Sequence, residues 1–225
     1  MSSQKEMIIK NAQPVPVVNG RIYWHLDESL LPVNMTKAAV LLCVQKAFNF
    51  IQTEFGHIRF EMTNETAPII ISFKNPDFFE IPKAVAVAEP YSPENPKGAD
   101  VFLNLKMDWS EFHKPGGFSL VKVLVHEILH ALGINHSTNP ADIMFFAYQE
   151  NDSIVITDST RQAIKEFYGL SYDSELVRLW IKENDFLGQL NDRTVISLGK
   201  LLDLKLSPLQ TKQHNIRMIK KRLGI

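Results

Sequence analysis

A chain of 225 residues that is 45% apolar and 10% aromatic holds enough greasy side chains for a packed core and excludes a largely disordered protein. Its formal net charge of −1 leaves no global field to draw nucleic acid or an anionic membrane. The single cysteine, Cys43, excludes an internal disulfide, and no run approaches the ~18 apolar residues needed to span a bilayer.

In chain order, residues 1–20 carry Pro14, Pro16 and Gly20 and are predicted to form an extended leader. They lack the apolar run of roughly 7–15 residues that marks a secretory signal. The expectation is a soluble protein, cytoplasmic or part of a larger particle and not exported by the usual route. A short strand follows from Ile22, then a turn at residues 32–34, and Thr36 stands where a helix cap belongs. Beyond it Ala39, Val40, Cys43, Val44, Ala47, Phe48 and Ile51 recur at steps of three and four, the spacing of one buried helical face, which places Cys43 in a core as an inert thiol. Gly56 is the expected stop. Residues 58–63 alternate apolar with polar as a half-buried strand does, and the continuous apolar run 67–73 suits a central strand. Residues 83–89 and 99–105 supply two more strands across a turn rich in Pro, Asn and Gly. The predicted sheet is mixed, with helices packed on it.

Ser119 then precedes LVKVLVHEILHAL (residues 120–132), a strongly apolar helix stopped by Gly133. His126 and His130 lie four apart, so they project from consecutive turns of one face and can converge on a single ion. A third ligand six residues further along the same rod would be out of reach. The helix must therefore end and the chain turn back before His136, and Gly133 is the residue that can take a left-handed conformation there. Three neutral imidazoles leave one position of a tetrahedral zinc open, as in a catalytic site, and Glu127 beside the first ligand is the candidate general base. His25, His57 and His113 have no partner at ligand spacing, and Asp108 and Glu111 around Trp109 read as a solvated loop.

The pattern H-E-x-x-H-x-x-G-x-x-H followed by a methionine, here Met144, is the metzincin signature. The segment HEILHALGINHSTNPADIMFFAY (residues 126–148) resembles the matrixin branch, with Ser137 after the third histidine, and the likeness runs from about residue 20 to 170. The resemblance implies an α+β metzincin-like fold with a twisted mixed sheet, an active-site helix and a Met-turn. It further implies a zinc-dependent endopeptidase whose one catalytic Zn2+ sits on His126, His130 and His136 above the hydrophobic floor of Met144. By the same likeness Ala84, Val85, Ala86, Val87 and Ala88 form an edge strand that pairs with an extended peptide substrate. Residues 145–148, Tyr148 included, line a pocket for a hydrophobic residue after the scissile bond. The matrixins' second, structural zinc and calcium ions are not expected, because Val87, Phe102 and Asn104 occupy the matching positions. Phe146 stands where the family commonly has proline, and Cys43 is badly placed to act as a zinc-blocking cysteine.

Past a boundary near residue 170 the pattern changes. Residues 174–187, 193–204 and 211–225 read as three short amphipathic helices, a small all-helical module that ends with Lys212, Arg217, Lys220, Lys221 and Arg222. The last two faintly resemble SAP-type nucleic-acid modules. A solvated basic face is the favoured reading, and a weak contact with nucleic acid or a larger assembly is the other. The alternative to an enzyme is a non-catalytic structural or binding protein that keeps the zinc fold. No membrane partner is expected.

Overall fold

The structure, a computed structural model, describes residues 11–170 other than 57, 82, 94, 96 and 97, together with residues 192, 195, 196, 199, 204–206 and 210–223. The chain divides into two compact units, Met1–Gly169 and Leu170–Ile225.

In the first unit the sheet elements are β1 (Arg21–Leu26), β2 (Arg59–Met62), β3 (Ile69–Lys74), β4 (Ala86–Glu89) and β5 (Ala99–Asn104). They form one five-stranded sheet in the order β2-β1-β3-β5-β4. The first four positions in that order run parallel, and β4 joins the end of the sheet antiparallel to β5. The parallel pair β1 and β2 requires a crossover, which helix α1 (Lys37–Gln52) provides. Thr36 starts α1 by accepting a hydrogen bond from the Ala39 N–H. The helix stops at Gln52, and the chain turns through Gly56 with φ +59°.

The core lies between the sheet and two helices, α1 and α2 (Leu120–Ala131). Along β1 the side chains of Ile22, Trp24 and Leu26 alternate inward, as a period of two demands. Trp24 stacks on Phe48 of α1 with ring centroids 4.7 Å apart. Val40, Cys43, Val44, Ala47, Phe48 and Ile51 are the buried stripe of α1. Each fully buried aliphatic side chain of this kind stabilises the fold by about 1.5–3 kcal/mol before entropy is counted.

Two local readings gain detail from the structure. Within the predicted leader, Val15 is buried, its N–H reaches the Tyr168 hydroxyl at 3.3 Å, and the Gln13 N–H donates to the Tyr91 carbonyl. Residues 1–10 lie outside the described residues. The loop around Trp109 is not merely solvated, since Trp109 is buried and its indole N–H donates to the Asn104 carbonyl. Here β6 (Trp109–Ser110) pairs in parallel with β7 (Phe118–Ser119), a ladder too short to show in a sequence pattern. Asp108 and Glu111 are ion-paired with Lys114 and Lys46.

Helix α3 (Asp158–Tyr168) closes the unit and ends on Gly169 at φ +59°. Of the three helices expected beyond it, those over residues 174–187 and 193–204 lie outside the described residues apart from isolated positions. The last appears as α4 (Lys212–Leu223). Among the described residues no helix is long and apolar enough to cross a membrane.

Burial pushes the Cys43 thiol up to about 11 from its ordinary 9.0. At pH 8 its thiolate population is then roughly 100-fold below that of the unfolded chain, on the logarithmic pH scale. Alkylation by iodoacetamide, followed by mass spectrometry, should be at least that much slower for the native protein than in denaturant. Equal rates in the two states would mean that Cys43 is not in the core.

Candidate metal centre

Ser119 caps α2 with its hydroxyl, which accepts from the Lys122 N–H at 3.3 Å. From there nine of the twelve residues of the helix are buried, so the rod that carries the first two histidines is fixed in the core. The helix ends in an abrupt reversal: the Gly133 N–H donates to the His130 carbonyl at 2.8 Å and the Ile134 N–H to the Leu129 carbonyl at 2.9 Å. Gly133 takes φ +90° to make this turn, and a Cβ there would sit 2.5 Å from the Phe167 ring. The reversal carries the chain back to His136.

The result is a convergence of three imidazoles. Ligand atoms of His126, His130 and His136 all lie within 4.8 Å of one another, the one group of this kind among the described residues. The Nε2 atoms of His126 and His130 are 3.0 Å apart. Their tautomers follow from the opposite side of each ring. His126 Nδ1 lies 2.7 Å from the Ile143 carbonyl oxygen and His130 Nδ1 lies 2.8 Å from that of Ile134. A carbonyl can only accept, so both Nδ1 atoms carry hydrogen and both neutral rings present an Nε2 lone pair to the same point. Burial, the largest influence on each, pushes His126 down to about 4 and His130 well below the ordinary histidine value. A proton is therefore a poor resident between them at neutral pH. Two lone pairs at 3.0 Å with no proton to share repel each other, and a divalent cation removes the repulsion. This three-histidine donor set, with the Nδ1 atoms of His126 and His130 held by backbone carbonyls, fits zinc.

Glu127 follows His126 on α2 and is half-buried; burial pushes its carboxyl up to about 8. Met144 is fully buried, and its carbonyl accepts from the Ser137 N–H at 2.8 Å, one residue past His136. Tyr148 packs on the start of α2: its hydroxyl accepts from the Ser119 N–H at 2.8 Å and its ring meets Phe118 edge-on at 5.1 Å. Of the predicted edge segment, Ala86, Val87 and Ala88 lie in β4. Ala84 and Val85 precede the strand, and their carbonyls are held by Asn104 through its side-chain amide and its backbone N–H, both at 2.9 Å.

Val87 and Phe102 face each other as a cross-strand pair, and Asn104 is buried with its amide spent on Ala84 and Lys106. None of the three offers an imidazole, a thiolate or a carboxylate, the side chains that zinc takes. His25 and His113 are not part of the cluster: His25 Nδ1 lies 3.0 Å from the Thr63 carbonyl oxygen, the backbone N–H of His113 donates to Asp152, and His57 lies outside the described residues.

Two residues near the centre escaped the sequence reading. Lys122, buried in α2, donates from Nζ to the Gln149 carbonyl at 2.8 Å and to the Asn151 carbonyl and Oδ1 at 3.0 Å. Asp142 is a buried acid in the loop between His136 and α3. The signal in both cases is one charged residue inside an apolar stretch, which marks a position but names no partner.

Residues 18–169 match the family described as Matrixin. Matrix metalloproteinase-16 of Homo sapiens is 34% identical over 87 residues, which are 37% of this chain and 14% of that protein. Macrophage metalloelastase of Oryctolagus cuniculus is 28% identical over 143 residues, 60% of this chain and 30% of the relative. A probable matrix metalloproteinase, 095L, of Invertebrate iridescent virus 3 is 34% identical over 89 residues, 36% of this chain and 24% of the relative. The chain thus spans less than a third of the length of these curated relatives.

The reversal at Gly133 is the feature that delivers His136. Gly133→Ala combines a left-handed β-carbon with a collision against Phe167, and should cost on the order of 2–4 kcal/mol in urea denaturation. A loss below about 0.5 kcal/mol, the size of an ordinary surface change, would show that the turn does not need glycine.

Proposed function

The chain belongs to the matrixin family, and from that membership and its histidine cluster we propose that it is a zinc-dependent endopeptidase. The observation that carries the reading is the pair of Nε2 lone pairs 3.0 Å apart whose Nδ1 hydrogens are already committed. His126, His130 and His136 hold one zinc ion. Zinc held there supplies Lewis acidity, which makes water a nucleophile at neutral pH and polarises a carbonyl.

The protein's own groups do the rest. Glu127 takes the proton from the attacking water as its oxygen bonds to the scissile carbonyl carbon, and returns that proton to the amine nitrogen as the C–N bond breaks. Burial raises the Glu127 carboxyl above its ordinary value, and a carboxyl that can both accept and return a proton serves both halves of the task. Met144 supplies an apolar floor beneath the imidazoles. β4 lies at the end of the sheet, and its outer edge accepts an extended peptide as a further strand through backbone hydrogen bonds. Phe145, Phe146, Ala147 and Tyr148 wall the pocket for a hydrophobic side chain after the scissile bond. Residues 171–225 serve placement: Arg217 and Lys221 are exposed on α4 and offer a local basic face to an acidic partner or to phosphates.

Glu127→Ala should lower kcat for a peptide substrate by at least about 10²-fold, the minimum expected of a positioned base, while zinc content and near-UV circular dichroism stay at wild-type values. Chelation of the wild-type protein should abolish cleavage, and added zinc should restore it. A variant that keeps a tenth of wild-type kcat, or cleavage that survives chelation, would sink the assignment.

A further inference from the structure

Asp142 is 3% exposed and accepts four hydrogen bonds. One oxygen takes the Met144 N–H at 2.8 Å. The other takes the Thr157 N–H at 3.0 Å, the Thr160 hydroxyl at 2.9 Å and the Thr157 hydroxyl. An ionised carboxylate has about four acceptor sites, so this one is satisfied entirely by the protein. The donors come from two places: residue 144 in the loop, and residues 157 and 160 at the N-terminal end of α3, where the helix dipole favours a negative charge.

What lies between those tethers is the backbone that touches the metal centre. The Ile143 carbonyl, next in sequence to Asp142, is the acceptor for His126 Nδ1 at 2.7 Å. The Ile143 N–H is held in turn by the Val155 carbonyl at 2.7 Å, and the Met144 carbonyl accepts from Ser137 at 2.8 Å. The orientation of the first imidazole, the seat of Met144 and the path of the chain after His136 therefore share one short strap, and Asp142 anchors that strap to α3.

We propose that Asp142 is a positioning residue for the metal centre, acting through the Ile143 carbonyl on the ring of His126. The proposal rests on the reading of the three histidines as a zinc site. Partners that orient a ligating histidine typically contribute 10–100-fold to metal affinity, and Asp142 exerts its influence one link further out. The isosteric amide cannot replace it. With either orientation of an asparagine, the NH2 group faces a backbone N–H, that of Met144 or that of Thr157, and two donors cannot bond.

The test is made on the full chain with Zn2+ affinity, from competition with a chromophoric chelator, and with the visible absorption bands of the Co2+-substituted protein, which report ligand geometry. Asp142→Asn should bind Zn2+ roughly 10-fold or more weakly and shift the cobalt bands. Thr160→Val, which removes one donor and keeps the carboxylate, should move both in the same direction by less. Val44→Ala, which weakens the core at α1 far from the strap, should move neither. Unchanged affinity and spectrum in Asp142→Asn would overturn the proposal, as would an equal change in Val44→Ala, which would expose a general stability effect. Should Asp142→Asn not fold, Thr160→Val decides, and wild-type affinity and spectrum in that variant overturn the proposal. A wild-type chain that takes up no metal would defeat the zinc reading itself, whereas normal wild-type binding with an unaffected Asp142→Asn defeats this inference alone.

Discussion

The site depends on one electrostatic problem: two neutral imidazoles held with their Nε2 lone pairs 3.0 Å apart. Such a contact is unfavourable in a protein that leaves it alone. It persists because each ring is fixed from its far side by a backbone carbonyl, Ile143 for His126 and Ile134 for His130. Burial also disfavours the protonated forms that would otherwise bridge the rings. The fold around them can be understood as the means of holding this arrangement. The buried rod of α2 sets the spacing of the first two rings, the Gly133 reversal delivers the third, and the loop back to α3 supplies the carbonyl that orients the first.

The two orienting carbonyls are secured differently. Ile134 follows directly from the end of α2, within the turn that Gly133 makes, so its position comes with the helix. Ile143 lies in a loop with no regular structure of its own and needs anchors from elsewhere: Asp142, Val155 and the start of α3. Tyr168, at the far end of α3, donates its hydroxyl to the Leu132 carbonyl at 3.0 Å. Helix α3 thus contacts both ends of the segment that carries His136. It closes the unit by holding the chain on either side of the third ligand.

Much of this was legible in the sequence because the chemistry is contiguous. His126, Glu127, His130, Gly133 and His136 fall within eleven residues, where helical spacing and one glycine are enough to predict convergence. The apolar periodicity of α1 was an equally local signal and led to the right element. The features that were missed are those whose partners are remote in the chain. Asp142 meets Thr157 and Thr160, Lys122 meets Gln149 and Asn151, and Val15 meets Tyr168 across 153 positions. No periodicity marks such pairs. The start of β4 was placed three residues early, at residue 83 and not Ala86, and the carbonyls of Ala84 and Val85 just before it are held by the remote Asn104.

The central proposal is that His126, His130 and His136 hold a single zinc ion, the one cluster of this kind among the described residues. Metal analysis of the purified, folded protein after exhaustive dialysis against metal-free buffer tests it most directly. The account predicts one tightly held zinc per chain, lost when His130 is replaced by alanine. No metal in a fully folded wild-type sample, or two tightly held zinc ions, would contradict it.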